Sequence, residues 1–215
     1  MEILGYVGAL FIGLVLGLTG GGGSILTVPI LVYLMSVSPV TATAYSLFIV
    51  GTTSTFGAIQ NYRKNLVDIK NGFIFAIPSF IAVYLTRKYI LPRIPEIIVE
   101  SPILITKNTF LMLFFAVIMI FGALSVLKKK SQDTNNEEKR NLILIGIQTF
   151  TIGIIIGLVG AGGGFLIIPS LILFAKLPMR KAVGTSLFII AMNSLVGFIG
   201  DVQNLEIDWL FLLTF

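Results

Sequence analysis

Two glycine-rich runs interrupt apolar stretches of the chain, and both could bind an anion. The first is Thr19–Ser24, with four consecutive glycines, and the second is Gly160–Gly164. Where an apolar helix starts again after such a break, its first N–H groups have no partner within the helix and carry about half a positive charge. Glycine lets an oxyanion reach these groups, and the hydroxyls of Thr19 and Ser24 add donors. The runs therefore predict a compact anion site that needs no buried lysine or arginine.

Polar residues on the segments after each run extend the candidate site. Ser46 and Ser186 occupy matching places in the two parts of the chain, and Asn193 follows Ser186 on the same segment. The full set of predicted substrate-binding residues is Thr19, Gly20, Gly21, Gly22, Gly23, Ser24, Ser46, Gly160, Gly162, Gly163, Gly164, Ser186 and Asn193. Two structural explanations stay open, because glycines let membrane helices pack closely and serines bond their own preceding turn.

The sequence contains no residue pattern typical of catalysis, cofactor binding, metal binding or proton transfer. The chain contains no cysteine and no histidine, and its apolar segments hold Asp or Glu only at their ends. The glycines are not followed by the lysine of a nucleotide-binding loop, and no nucleophile has a histidine base. We therefore expect no enzymatic activity, no cofactor, no metal site and no proton relay through buried carboxylates. Asp68 and Asp208 mark helix starts, where we expect caps, and Asp201 lies at a loop edge.

The two glycine runs belong to an internal repeat with an offset of 140 residues. Matching pairs extend without a gap from Gly17 and Gly157 to Asp68 and Asp208, and the tetrapeptide Ser46–Ile49 recurs unchanged 140 positions later. Broken hydrophobic segments at corresponding places in two halves are typical of the binding site of a secondary transporter.

Composition and segment length predict an all-α integral membrane protein, a polytopic helical bundle of two internal repeats. The chain is 56% hydrophobic and 12% charged, and its apolar segments have no polar face. A helix needs about 20 apolar residues to cross a bilayer. We predict a first repeat at 1–127 (broken helix 3–34, spans 40–61, 69–91 and 104–127), a hydrophilic linker at 128–141, and a second repeat at 142–215 (broken helix 142–175, span 179–200 and the start of a span at 207–215). Because the second repeat lacks its last spans, we expect the chain to be C-terminally incomplete.

The net charge of +5 indicates membrane topology rather than a nucleic-acid partner. The segment 128–140 carries five lysines and arginines, so the positive-inside bias assigns it to the cytoplasmic side. The turn at 35–41 and the turn at Lys176–Lys181 then face opposite sides, and we interpret the repeats as inverted, with glycine-broken segments that are re-entrant or form two short spans. Four basic residues lie outside in this topology, against the bias: Arg87, Lys88, Arg93 and Lys107.

The doubled glycine motif resembles the sulfite exporter TauE/SafE family of membrane permeases. The matching residues are Gly17–Ser24 with Pro29, which recur as Gly157–Gly164 with Pro169. The resemblance covers nearly the whole chain and implies transport of sulfite, sulfonates or related organosulfur acids across a cytoplasmic membrane. Members of this family end with two further spans, and the excursion Leu91–Thr106 is longer than their usual loop.

Three functions are compatible with these patterns. The leading hypothesis is a multi-pass exporter in the cell (cytoplasmic) membrane that holds a small sulfur-containing anion at the paired glycine-rich helix N-termini. An anion-selective channel would show flux that does not saturate, and a membrane scaffold or accessory subunit would show no flux. The expected partners are a small anionic substrate and the lipid bilayer, while a homo-oligomer and the coupling ion are left open.

Overall fold

A computed structural model describes residues 7–14, 24–99, 105–127 and 142–215, and most of these residues are helical. Residues 7–14 form one helical segment. The helices that follow are α1 (Ser24–Pro29, continued by a wide π turn at Ile30–Leu34), α2 (Pro39–Arg63), α3 (Ile69–Leu85, continued by a π turn at Thr86–Ile90), α4 (Leu91–Arg93), α5 (Lys107–Leu127), α6 (Leu142–Val159), α7 (Gly164–Phe174), α8 (Met179–Val202) and α9 (Trp209–Thr214). The glycines at 20–23 and the linker 128–141 lie outside the described residues.

Two of the described helices are long and apolar enough to cross a bilayer. They are Ile69–Arg93, which joins α3, its π turn and α4, and Met179–Val202. At about 1.5 Å per residue, each is longer than a hydrocarbon core of about 30 Å. Large apolar side chains are exposed on the surface, including Phe56, Ile143 and Leu210, which suits contact with lipid. The prediction of a membrane protein built from helices is confirmed, and two of the predicted spans, at 69–91 and 179–200, coincide with these helices.

The long excursion between α4 and α5 contains a short antiparallel hairpin. Its strands are β1 (Ile97–Val99) and β2 (Ile105–Thr106), and both consist of β-branched residues, which favour extended backbone. The N–H of Lys107 donates to the carbonyl of Glu96 at 2.9 Å and holds the hairpin at the start of α5. The described fold is all-α apart from this hairpin.

Asp68 and Asp208 cap the starts of α3 and α9. Asp68 Oδ1 accepts the N–H of Asn71, and Asp208 Oδ1 accepts the N–H of Phe211, each at 3.0 Å. Such caps satisfy N–H groups that have no partner within the helix. The capping role expected of both aspartates is confirmed.

The central helices α2 and α8 are joined to the opposite half of the chain by two matched hydrogen bonds. The backbone N–H of Asp68 donates to Thr185 Oγ1, and the backbone N–H of Asp208 donates to Tyr45 OH, each at 2.9 Å. Asp68 and Asp208 are 140 positions apart, and so are Tyr45 and Thr185. The bond from Asp208 to Tyr45 therefore joins the same repeat positions as the bond from Asp68 to Thr185, with the roles of the two halves exchanged.

The apolar packing shows the same exchange. Gly57 packs against the side chain of Leu187, and Gly197 packs against the side chain of Leu47. Both pairs of glycine and leucine positions again differ by 140. The two halves thus contact each other through equivalent residues in exchanged positions.

Tyr45→Phe and Thr185→Val should each lower the free energy of unfolding by about 1 kcal/mol, because each removes the acceptor of a part-buried backbone N–H. Reversible unfolding in mixed micelles, followed by circular dichroism, measures the loss. Tyr62→Phe is the matched control, since the side chain of Tyr62 is exposed near the end of α2. Losses no larger than that of the control would show that the exchanged bonds do not stabilise the bundle.

Candidate functional site

The second glycine run forms a tight turn between α6 and α7. Gly160, Gly162 and Gly163 have φ angles of 71°, 66° and 75°, in the left-handed region that glycine adopts without strain. Gly163 is the N-cap of α7, and its carbonyl accepts the N–H groups of Leu166 at 2.9 Å and Ile167 at 3.0 Å. The first N–H groups of α7 point toward the turn, where the end of a helix favours negative charge.

Gly160 and Gly162 also lie too close to their neighbours for a side chain. A β-carbon at Gly160 would overlap Thr43 and Arg87, and a β-carbon at Gly162 would overlap Val50. Overpacking of this kind is destabilising in its own right. The turn requires glycine both for its backbone conformation and for its packing against α2 and the end of α3.

The turn lies near the centre of the bundle. Gly162 packs between Val50 of α2 and Ile190 of α8, which lie at the middle of these helices and are 140 positions apart. Ser194 Oγ of α8 lies next to the same glycine. Irregular backbone at such a depth in a membrane protein is tolerated where it is buried in protein or lines a wet cavity.

A buried ion pair lies beside Gly160. Arg87, in the π turn after α3, is fully buried, and its Nη1 donates to Asp201 Oδ2 of α8 at 3.0 Å and to Thr43 Oγ1 of α2 at 3.1 Å. Asp201, expected at a loop edge, lies within α8 and is 2% exposed. An interior charge persists because an opposite charge compensates it. A buried arginine thus lies beside the turn, where the sequence predicted an anion site that needs none, and anion binding at the turn stays a prediction.

Further polar atoms are buried in the central helices. Asn193 Nδ2 of α8 donates to Ser79 Oγ of α3 at 2.6 Å. Within the described part of the chain, the hydroxyls of Ser46, Ser54 and Ser194 and the Oδ1 of Asn193 are buried without a hydrogen bond. Leaving such atoms unpaired costs free energy, so they call for water or a ligand as partner.

A polar cavity of about 410 Å³ borders the ion pair on the side of the hairpin. Arg87 and Asp201 line it together with Glu96, Lys107 and Asn204, of which Glu96 and Asn204 are exposed. Its volume lies within the range of small-molecule sites. The cavity extends from the surface to the ion pair, and the guanidinium at its inner end is fully buried.

The structure places most of the predicted site residues of the second repeat around the turn. Gly160, Gly162 and Gly163 form it, and Gly164 begins α7. Asn193 is buried on α8, one residue before Ser194. Substrate binding by these residues stays a prediction.

Ser46 and Ser186, predicted as equivalent, differ in their surroundings. Ser46 is buried on α2 with no hydrogen bond from its hydroxyl to a described residue. Ser186 Oγ donates to the carbonyl of Val183 at 2.8 Å, which is the local bond that serine commonly makes in a helix. Thr19 and the glycines at 20–23 lie outside the described residues, and Ser24 is described only as the first residue of α1.

Sequence reasoning missed Arg87, Asp201 and Thr43 as neighbours of the glycine turn. One signal was present, because Arg87 was among the four basic residues that violated the positive-inside bias. That bias compares the numbers of lysines and arginines in the loops on the two sides of the membrane. A buried, paired arginine inside a spanning helix does not belong to either number. A violation of the bias within an apolar segment thus indicates an interior charge.

A bundle of apolar helices with an irregular glycine turn at its centre and a buried ion pair beside that turn defines a membrane protein of the transporter class. The comparison with known families specifies it further: the profile of the sulfite exporter TauE/SafE family matches residues 6–215. The chain belongs to this family, and the resemblance seen in the glycine motif is confirmed.

Curated relatives agree with this assignment. The chain is 27% identical over 203 residues to a probable membrane transporter protein of Xylella fastidiosa, covering 92% of this chain and 73% of the relative. It is 28% identical over 233 residues to the probable membrane transporter protein YunE of Bacillus subtilis, covering 95% and 79%. YjnA of Bacillus subtilis, also a probable membrane transporter protein, is 30% identical over 183 residues, covering 83% and 70%. No solved structure shows a significant match.

Proposed function

We propose that the protein is a multi-pass secondary transporter that exports small sulfur-containing anions, such as sulfite or organosulfonates, across the cytoplasmic membrane. The observation that carries the proposal is the central turn Gly160–Gly163 with the buried guanidinium of Arg87 against it. A helix N-terminus and a guanidinium both favour a small anion. The name of the family, sulfite exporter, supports sulfur oxyanions as the class.

An inverted repeat provides the moving parts of this transporter. The exchanged hydrogen bonds of Asp68 with Thr185 and of Asp208 with Tyr45 support a two-fold relation between the halves. In transporters built from such repeats, one half rocks against the other around a site near the midplane. The glycines at 20–23, which the sequence predicts as the second part of the site, lie outside the described residues.

Membrane potential is sufficient to drive export. In a cell that is negative inside, moving one negative charge outward gains about 2.3 kcal/mol per 100 mV. An anion exporter can therefore run in this direction without a proton relay, and the coupling ion is left open.

Two other functions make different demands on the site. A scaffold or accessory subunit requires neither irregular backbone at membrane depth nor a buried arginine, and both are costly. An anion channel could use the same groups, but it would conduct without the saturation that a binding site in alternating access imposes.

Flux in proteoliposomes tests the proposal. We expect purified protein to move sulfite and sulfoacetate with saturable kinetics and with a rate that rises when the potential favours export. Liposomes without protein give the background. Flux without saturation would identify a channel, and absence of both fluxes from folded, inserted protein would overturn the sulfur assignment.

A further inference from the structure

Arg87 uses only part of its hydrogen-bonding capacity in the ion pair. Nη1 makes two hydrogen bonds, to Asp201 and to Thr43. Nε and Nη2 are buried and have no hydrogen-bond partner among the described residues. A charged donor left unpaired in the interior is more costly than a neutral one, so this edge of the guanidinium needs an acceptor.

The geometry of the unpaired edge specifies that acceptor. The N–H groups of Nε and Nη2 lie in one plane and point the same way, which suits two oxygens carried by a single atom. A sulfonate, a sulfite or a carboxylate presents such a pair of oxygens, whereas a halide presents one centre. The edge is therefore complementary to a bidentate oxyanion.

The surroundings connect this edge to the glycine turn and to the cavity. Nη2 lies so close to Gly160 that a β-carbon there would overlap it, which places the guanidinium directly on the backbone of the turn. Arg87 also lines the polar cavity. The cavity ends at Arg87, whose guanidinium is fully buried. An anion in the cavity therefore reaches the Nε–Nη2 edge only after neighbouring side chains move, as alternating access requires.

Asp201 neutralises Arg87 when no anion is bound. Its carboxylate stays on Nη1, so a second anion at Nε and Nη2 would share the same guanidinium. The two negative charges repel each other, and the low polarity of the surroundings strengthens that repulsion. Asp201 therefore limits how tightly the site holds its anion, which favours release.

We infer that Arg87 is a substrate-binding residue whose Nε–Nη2 edge holds two oxygens of the transported anion, so that the site selects sulfonates, sulfite and other bidentate oxyanions over halides. This inference rests on the proposed transport of an anion. It names a residue outside both glycine runs and a chemical criterion for the substrate.

Binding of ethanesulfonate, acetate and chloride to the purified full chain in detergent, measured by calorimetry, tests the inference. Wild type should bind ethanesulfonate more tightly than chloride. Arg87→Lys keeps the charge but lacks the planar edge, and it should weaken ethanesulfonate binding by about tenfold or more while chloride binding changes little. Asp201→Asn removes the competing negative charge and should tighten ethanesulfonate binding by about tenfold.

Two further variants control for loss of folding and for a general effect of positive charge. The double variant Arg87→Gln with Asp201→Asn leaves no buried charge, so it should fold and yet bind no anion. Lys88→Gln removes the neighbouring positive charge, which contacts Tyr84 OH at 3.0 Å, and it should change the Kd by no more than about twofold.

The outcomes separate this inference from the proposed function. Unchanged ethanesulfonate affinity in Arg87→Lys and Asp201→Asn would overturn the role of Arg87, even if wild type transports sulfite. Arg87-dependent binding of acetate alone, without sulfite flux, would support the role of Arg87 and reject sulfur anions as the substrate. Wild type that prefers chloride would overturn the selection of bidentate oxyanions.

Discussion

Asp201→Ala should lower the free energy of unfolding by about 3–5 kcal/mol, because it leaves the guanidinium of Arg87 buried without its counter-charge. The carboxylate of Asp201 is 3.0 Å from Nη1 of Arg87, and both side chains are almost entirely shielded from solvent. Thr43 Oγ1 would remain as a neutral acceptor, which cannot compensate a full charge. Reversible unfolding in mixed micelles measures the loss.

Asp208→Ala is the matched control for this experiment. Asp208 is exposed and caps α9, so its removal should cost about 1 kcal/mol. The double variant Arg87→Met with Asp201→Leu should recover most of the stability, since replacing both members of a buried pair by apolar residues is often neutral. A loss in Asp201→Ala no larger than that in Asp208→Ala would show that the pair does not stabilise the fold.

Gly162→Ala should lower the free energy of unfolding by about 2–5 kcal/mol, an effect close to that of Asp201→Ala. The φ angle of 66° at this position is strained for any residue with a β-carbon, and the new methyl group would overlap Val50. Transport should be lost together with stability, because the turn cannot keep its place between α2 and α8. Unfolding in mixed micelles and sulfite flux in proteoliposomes measure the two effects.

Gly146→Ala provides the control within the same broken segment. Gly146 lies in α6, and a β-carbon there would meet nothing within 4 Å. Alanine is the better helix former by about 1 kcal/mol, so this variant should be neutral or slightly more stable. If Gly162→Ala behaved like Gly146→Ala, the tight turn between α6 and α7 would not describe the folded protein.

Features that depend only on neighbouring residues, such as helix caps and glycine breaks, could be predicted from the sequence. Asp68 and Asp208 follow short polar stretches and precede apolar runs, which is a sufficient signal for the capped starts of α3 and α9. The broken segment around Gly160 was visible because consecutive glycines disfavour a helix wherever they occur. The family could be recognised from the same residues, since the motif occurs twice.

Long-range and single-residue features could not be predicted in this way. Arg87 and Asp201 are separated by 114 positions, and no periodicity links a residue near the end of one apolar segment to one near the end of another. The expectation of an anion site that needs no buried base rested on the helix ends and the glycines, and the predicted topology placed Arg87 outside the membrane. The hairpin of β1 and β2 was missed because its strands are only three and two residues long.

The π turn at Thr86–Ile90 continues α3 and also sets the position of Arg87. A turn of this kind holds one residue more than the α-helical turn it replaces. Arg87 sits within that turn, fully buried, and Tyr89 in the same turn is exposed. Loss of the extra residue would change which side chains of this turn face the interior, so the buried position of Arg87 depends on the wide turn.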